Sequence, residues 1–368
     1  MKEVRSLTSL RWFAALFVFF FHVDMAHRTP LTWLPWRLQA IVQQGRLGVC
    51  VFFVLSGFVM VLAASRYLAQ PADNFLSAHY IRDFYQRRFA RIYPVYLTGL
   101  LLVAAISLRL STLPSWPVIL ANLTLTTGYF TDTRLAWYAG GAHSLSTEFF
   151  FYLVTPLLLF WLSQRSRLAL QGVAITAVAV GVGLGVINML APGRLSMDVP
   201  FAFPPFRLPE FVCGICTGLL VVRYNWKPAA WLAPVLLVMC AIYLSYAGPL
   251  VPAVTLLHNW IVVPTVAILL ASLYHYESTP LYSWMQHRWL HSLGEISFCF
   301  YIAQLPLSQL LDALIAGKHV SQNNHWVTFV GLLLNIGVAM AMRKFIENPA
   351  YDWLMRKTKK PQRTQVAS

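Results

Sequence analysis

Apolar runs close to the roughly 20 residues needed to cross a hydrocarbon core alternate with short charged loops along the whole chain, and this alternation leaves a polytopic helix bundle as the expected fold. The runs fall near residues 12–28, 47–65, 92–110, 145–162, 168–190, 208–222, 230–247, 258–275, 293–316 and 326–346, predicting about ten spanning helices. Only 11% of the 368 residues are charged and 58% are hydrophobic, against roughly 25% charged in a soluble domain. A soluble enzyme is excluded, and the expected chemistry lies within or beside the bilayer. The reading is of residues 1–350 as one membrane domain and 351–368 as a basic cytoplasmic tail, with no internal repeat or linker.

Net charge is +15, which raises the question of nucleic acid. The cations sit in short loops between apolar runs, as the positive-inside rule expects, so the lipid bilayer is the expected partner and nucleic acid is not. They gather at Lys2 and Arg5, at Arg82 to Arg91, at Arg165 and Arg167, at Arg223 and Lys227, at Arg288, and from Arg343 to Lys360. Every second loop is basic, which places both termini in the cytoplasm. Counting the apolar segment 116–129 as a span would invert that pattern, so it reads as re-entrant or interfacial. The first run follows basic residues but lacks a small-residue cleavage site, and is expected to stay as a helix rather than leave as a signal peptide. Cys50, Cys213, Cys216, Cys240 and Cys299 all lie in apolar stretches. Even the CxxC spacing of Cys213 and Cys216 has no second pair, so packing is expected there and no metal site.

Ionisable residues at membrane depth mark either a functional path or a paired structural site. Arg11 and His22 are eleven residues apart on the first helix, so they share a stripe within roughly 20° and stand about 16 Å apart along the axis. His22 is then a candidate base near the midplane, or a packed histidine. Glu148 enters from the other side at a similar depth. A carboxylate beside an imidazole fixes its tautomer and raises its basicity, although a buried ion pair pinning two helices explains the same residues. In QRRFARIYP, Arg87, Arg88 and Arg91 have the i, i+3 and i, i+4 spacings of one helical face. That face suits phosphate capture as well as simple anchoring at the membrane surface. Arg207 and Glu210 pair at i, i+3 on the outer side, either for acceptor binding or for structure, and Gly214 with Gly218 makes a GxxxG packing face. Glu347 is read as near a helix end, compensated by Arg343 four residues earlier.

Taken in order, these segments resemble acyltransferase family 3, the membrane acyltransferases that modify bacterial surface polysaccharides. The carrying segments are SLTSLRWFAALFVFFFH, with Arg11 and His22 in the R-x10-H arrangement, then GRLGVCVFFVLSGFVM, RRFARIYPVY with Arg88 and Arg91, and HSLSTEFFFYLVTPLL with Glu148. FRLPEFVCGICTG, LGEISFCFYIAQLP and FIENP complete the set, so the resemblance runs from about Arg5 to Pro349. It implies an O-acyltransferase of the bacterial inner membrane that takes an acyl group, acetyl in the simplest case, from cytoplasmic acyl-CoA. The acceptor it implies is a sugar hydroxyl of an exopolysaccharide, a lipopolysaccharide or a lipid-linked precursor.

On that resemblance His22 and Glu148 are catalytic, while Arg11, Arg87, Arg88 and Arg91 bind the donor. Arg207 and Glu210 are placed with the acceptor, acyl-CoA is a co-substrate, and no cofactor is permanently bound. Larger relatives append an extracytoplasmic esterase-like domain that does not follow the last helix here, so acceptor handling is expected to rest on the membrane domain, an oligomer or a polysaccharide-assembly partner. The pantetheine arm is expected to thread along the first helix from Arg11 to His22, with Glu148 in reach of the imidazole. The rival reading is a proton-coupled transporter or exporter of a glycan-related solute, with the same polar residues forming its path.

Overall fold

A computed structural model describes residues 4–25, 34–134, 136–190, 201–247, 255–315 and 325–358, and all regular structure among them is helical. The helices are α1 (Arg5–Met25), α2 (Trp36–Val42), α3 (Leu47–Ala64), α4 (Ala78–Arg109), α5 (Trp116–Leu123) and α6 (Ala139–Leu162). They continue with α7 (Arg167–Leu190), α8 (Leu208–Tyr224), α9 (Leu232–Ala247), α10 (Asn259–Tyr276), α11 (Arg288–Ile315), α12 (His325–Met342) and α13 (Asn348–Thr358).

Each of the expected apolar runs falls on a helix, but among the described residues eight helical segments are both long and apolar enough to cross a membrane. Helix α9 has 16 residues, about 24 Å, short of a hydrocarbon core of roughly 30 Å. Helix α11 has 28 residues but carries Arg288, Glu295 and Gln304 along it, polar positions tolerated where protein covers them. The segment expected to be re-entrant is the 8-residue α5 followed by a single 3-10 turn, about 12 Å of helix. It is tied to α4 by the Tyr96 hydroxyl donating to the Asn122 carbonyl at 2.9 Å and by Tyr93 donating to that of Leu123 at 3.1 Å.

Helix α4 begins about four turns before the apolar run that announced it. Ser77 caps it, its hydroxyl accepting from the Tyr80 amide at 3.3 Å, and the 32 residues reach about 48 Å. The extra turns are polar on one side and carry Arg82, Arg87 and Arg88. Helix α12 passes into a π-helical turn, Arg343–Glu347, and on into α13, which packs against α4. Glu347 therefore does not close a helix as expected. Residues 351–358 of the expected tail lie in α13, and 359–368, like Lys2, fall outside the described residues.

Backbone-to-backbone approach organises the interior. A Cβ on Gly294 of α11 would stand 2.0 Å from the Thr8 carbonyl oxygen of α1. One on Gly214 of α8 would stand 2.0 Å from that of Val54 on α3, and one on Gly57 of α3 would stand 2.2 Å from the Phe211 carbonyl on α8. The GxxxG reading of Gly214 and Gly218 is thus realised as the α3–α8 crossing, in the manner of membrane helices that associate through small residues. Aromatic rings fill the seams beside these crossings, with Trp12 and Phe19 of α1 at 5.0 and 5.5 Å from Phe300 of α11. Phe151 of α6 stacks on Phe211 of α8 at 4.5 Å. The five cysteines are free and buried, and the first apolar run, packed against α3 and α11, is part of the core.

Because no space exists for a side chain at Gly294, Gly294→Val should splay α1 from α11 and cost about 3 kcal/mol, the upper end of overpacking. Thermal unfolding of the purified protein in detergent checks this, and an unshifted melting point would count against the crossing as described.

Candidate functional site

Four helices bring their polar residues to one cavity of about 110 Å³, whose walls include Arg11 of α1, Arg88 and Arg91 of α4, Glu148 and Tyr152 of α6, and Glu295 of α11. The 3.6-residue period explains the meeting. Arg88 and Arg91 lie one turn apart on α4, as do Glu148 and Tyr152 on α6. The Tyr152 hydroxyl donates to Glu148 Oε1 in a short hydrogen bond. Arg88 lies against the faces of Phe84 and Tyr152, its guanidinium carbon 5.5 and 5.7 Å from the ring centroids, a cation–π arrangement that holds the group without consuming its donors. The Nε of Arg88 is buried and has no hydrogen-bond partner. Arg91 is exposed at the cavity wall, and Arg11 feels the charges of Arg88, Arg91 and Glu148 together.

Glu295 is held by Arg343 at 2.8 Å. This replaces the expected pairing of Arg343 with Glu347, since the π turn between them removes the i, i+4 alignment. Glu347 instead accepts from the Cys299 thiol at 3.2 Å.

The structure separates other residues that the sequence reading had grouped. Arg87 forms an ion pair with Asp83 one turn earlier, 40% of its side chain is exposed, and it does not line the cavity. The arginines that line the cavity are therefore Arg11, Arg88 and Arg91. His22 is not among the cavity's lining residues either. Its side chain is set against Gln304 of α11, and the charge acting on it is that of Arg46, just before α3. Glu148 is engaged with Tyr152 and the arginines, so the expected pairing of Glu148 with His22 is not what the geometry presents. Of the two ends of the expected path along α1, Arg11 lines this cavity and His22 does not. The cavity extends to Ser144 and Tyr301, whose hydroxyls bond each other at 2.7 Å, and Gln304 follows Tyr301 by one turn of α11.

Arg207 and Glu210 form a sealed network rather than an acceptor surface. Arg207 is 0% and Glu210 2% exposed. Glu210 Oε2 accepts from Arg207 Nε at 3.1 Å and Nη2 at 2.9 Å, and Oε1 accepts from Asn259 of α10 at 2.7 Å. Arg207 also donates to the Phe201 carbonyl at 3.4 Å and lies over the Phe53 ring at 5.1 Å. The carboxylate is saturated and the guanidinium is boxed between rings, so the expected acceptor role has no open face to act through. The sequence reading missed Tyr152, Glu295 and Gln304, and gave Arg343 a different partner. The first was available from its i, i+4 spacing to Glu148, whereas Glu295 and Gln304 were quoted only inside a motif on a helix read as apolar.

A polytopic helical membrane protein with three arginines and two carboxylates around one partly buried cavity is the class that fold and site define. The model of an acyltransferase domain matches residues 4–344, and the chain belongs to this family, acyltransferase family 3, which its motifs resembled. It is similar to the acyltransferase MdmB of Streptomyces mycarofaciens, 29% identical over 379 residues that cover 96% of this chain and 92% of that protein. No solved structure matches the chain. The protein is thus a membrane acyltransferase.

Removing one half of the sealed pair leaves a buried charge uncompensated, so Glu210→Ala should cost about 3–5 kcal/mol of stability. A detergent melting curve reads it. Unchanged stability combined with a raised KM for acceptor would restore Arg207 and Glu210 to the acceptor site.

Proposed function

We propose that this acyltransferase moves an acyl group, acetyl in the simplest case, from acyl-CoA on the cytoplasmic side of the bacterial inner membrane to a sugar hydroxyl of a surface polysaccharide or its lipid-linked precursor. The supporting observation is the three-guanidinium cavity. Arg11, Arg88 and Arg91 converge from two helices on a space that phosphate oxygens fit, and guanidinium groups bind phosphate by parallel charge-assisted hydrogen bonds. On the positive-inside reading, this end of the bundle and both termini face the cytoplasm, where the donor is found.

In this reading Glu148, held by Tyr152, orients the arginines that grip the donor. His22, further along the α1 stripe, serves the acceptor. A sugar hydroxyl is a poor nucleophile near neutral pH. His22 takes its proton as the oxygen attacks the thioester carbonyl, the tetrahedral adduct collapses, and the CoA thiolate leaves and is protonated. A positioned base contributes roughly 10²- to 10⁴-fold to such a step. The acyl carbon must travel from the arginine cavity past the Ser144–Tyr301 bond to reach the imidazole, so that hydrogen bond opens or shifts when donor binds.

Membranes containing the protein, incubated with radiolabelled acetyl-CoA and candidate glycans, test the reading directly. His22→Ala should lower label transfer by about 100-fold or more while membrane insertion and melting point stay as in the wild type. Near wild-type transfer would sink the assignment of the base. Arg88→Ala should raise the KM for acyl-CoA about tenfold, the worth of one charge-assisted hydrogen bond, and leave the acceptor KM in place. Unchanged donor kinetics would return the arginines to membrane anchoring.

A further inference from the structure

Gln304 is 4% exposed, and its amide is placed to hydrogen-bond the His22 imidazole. In the geometry observed the bond is not completed. His22 Nδ1 and both Oε1 and Nε2 of Gln304 are buried without a partner. A buried polar atom left unpaired costs about 1–3 kcal/mol, and here three sit on two neighbouring side chains that could satisfy one another. Phe19 and Phe300 pack the same α1–α11 seam at 5.5 Å, and Gly294 fixes the approach of the two backbones lower down. His22 and Gln304 are thereby held opposite one another by rigid elements.

The chemistry of the neighbours narrows what Gln304 can do. An imidazole whose one nitrogen is to act as a base needs its other N–H accepted by an oxygen. Glu148 is occupied by Tyr152 and the arginine cavity. Arg46 acts on His22 but has no acceptor atom. Tyr301, one turn below Gln304, shares its hydroxyl hydrogen bond with Ser144. Among these described neighbours the oxygen that remains is Oε1 of Gln304.

We propose that Gln304 is the positioning residue of the acyl transfer, its Oε1 accepting the Nδ1–H of His22 so that Nε2 holds the lone pair that takes the acceptor hydroxyl's proton. This rests on His22 being the base. The orienting group is then a neutral amide rather than the carboxylate expected from the sequence. It fixes the tautomer without adding charge at membrane depth, where a lone carboxylate is expensive.

Two near-isosteric variants test the inference in full-length protein in native membranes, with radiolabelled acetyl-CoA as donor and the host's own acceptor. Gln304→Leu removes the oxygen but keeps the volume and leaves no new polar group, so its melting point should match or exceed that of the wild type. Its kcat should fall about 10- to 100-fold, as for loss of other groups that orient a histidine, with the KM for acetyl-CoA unchanged. Gln304→Glu keeps an oxygen at the same place and should recover most of the lost turnover. Wild-type kcat in Gln304→Leu, or a Gln304→Glu variant as slow as Gln304→Leu, would overturn the proposal. His22→Ala run alongside separates the two levels. An active His22→Ala removes the base itself, whereas an inactive His22→Ala beside a fully active Gln304→Leu removes only the positioning role.

Discussion

Close helix crossing through glycine is the constraint on which the rest of this molecule depends. Lipid tails are as apolar as leucine side chains, so burial alone gives helices little reason to associate in a membrane, and backbone proximity has to supply the packing. Gly294 against Thr8, and Gly57 with Gly214 between α3 and α8, provide it. Once α1 and α11 are locked at that distance, Arg11 and Glu295 share one cavity and His22 and Gln304 meet further along the same seam. A chain able to splay at these crossings would hold the same residues without any of their relationships.

With the helices fixed, the polar residues fall into two electrostatic regimes. Around Arg207 each carboxylate oxygen of Glu210 is bonded, and aromatic rings close off the guanidinium. Such a network stabilises only while complete, because the loss of one partner leaves the other charged in a medium that cannot solvate it. Around Arg88 the arrangement is left open. Three guanidiniums face Glu148, whose Oε1 is already engaged by Tyr152, and Glu295, whose charge is shared with Arg343. The first cluster spends its charge on holding α3, α8 and α10 together, and the second keeps charge available for a ligand.

The sequence made the helices legible because a bilayer imposes length and apolarity on each span, and it made the family legible through the order of its motifs. It was less informative wherever a pairing depends on which faces meet. The i, i+4 spacing that grouped Arg87 with Arg91 applied equally to Asp83 and Arg87, and the oppositely charged neighbour prevailed. The same spacing linked Arg343 to Glu347 until a π turn, which no composition rule signals, broke the alignment. Depth along the axis placed Glu148 level with His22, but depth says nothing about azimuth, and on α6 the carboxylate turns toward α4. Helix α11 was hardest to read, since Glu295 and Gln304 are spaced among aromatic and aliphatic residues that mark it as core.

The divided placement of Glu148 and His22 bears on how a membrane enzyme can join substrates from opposite sides. A base and a donor clamp in one open cavity would let water from the cytoplasm reach the activated thioester, and hydrolysis would compete with transfer. On the proposed reading the arginines hold the donor and His22 serves the acceptor, with Arg11 and His22 at successive levels of α1 and Arg88 and Arg91 reaching the cavity from α4. Ser144 and Tyr301, whose hydroxyls bond each other, line the cavity one turn of α11 from Gln304. Binding energy from the donor's phosphates, spent far from the reacting carbon, is then available to part that bond and admit only the acyl arm. Separation of clamp from base is on this view what keeps transfer ahead of hydrolysis, and it requires that the group orienting His22 be something other than the carboxylate already committed to the clamp.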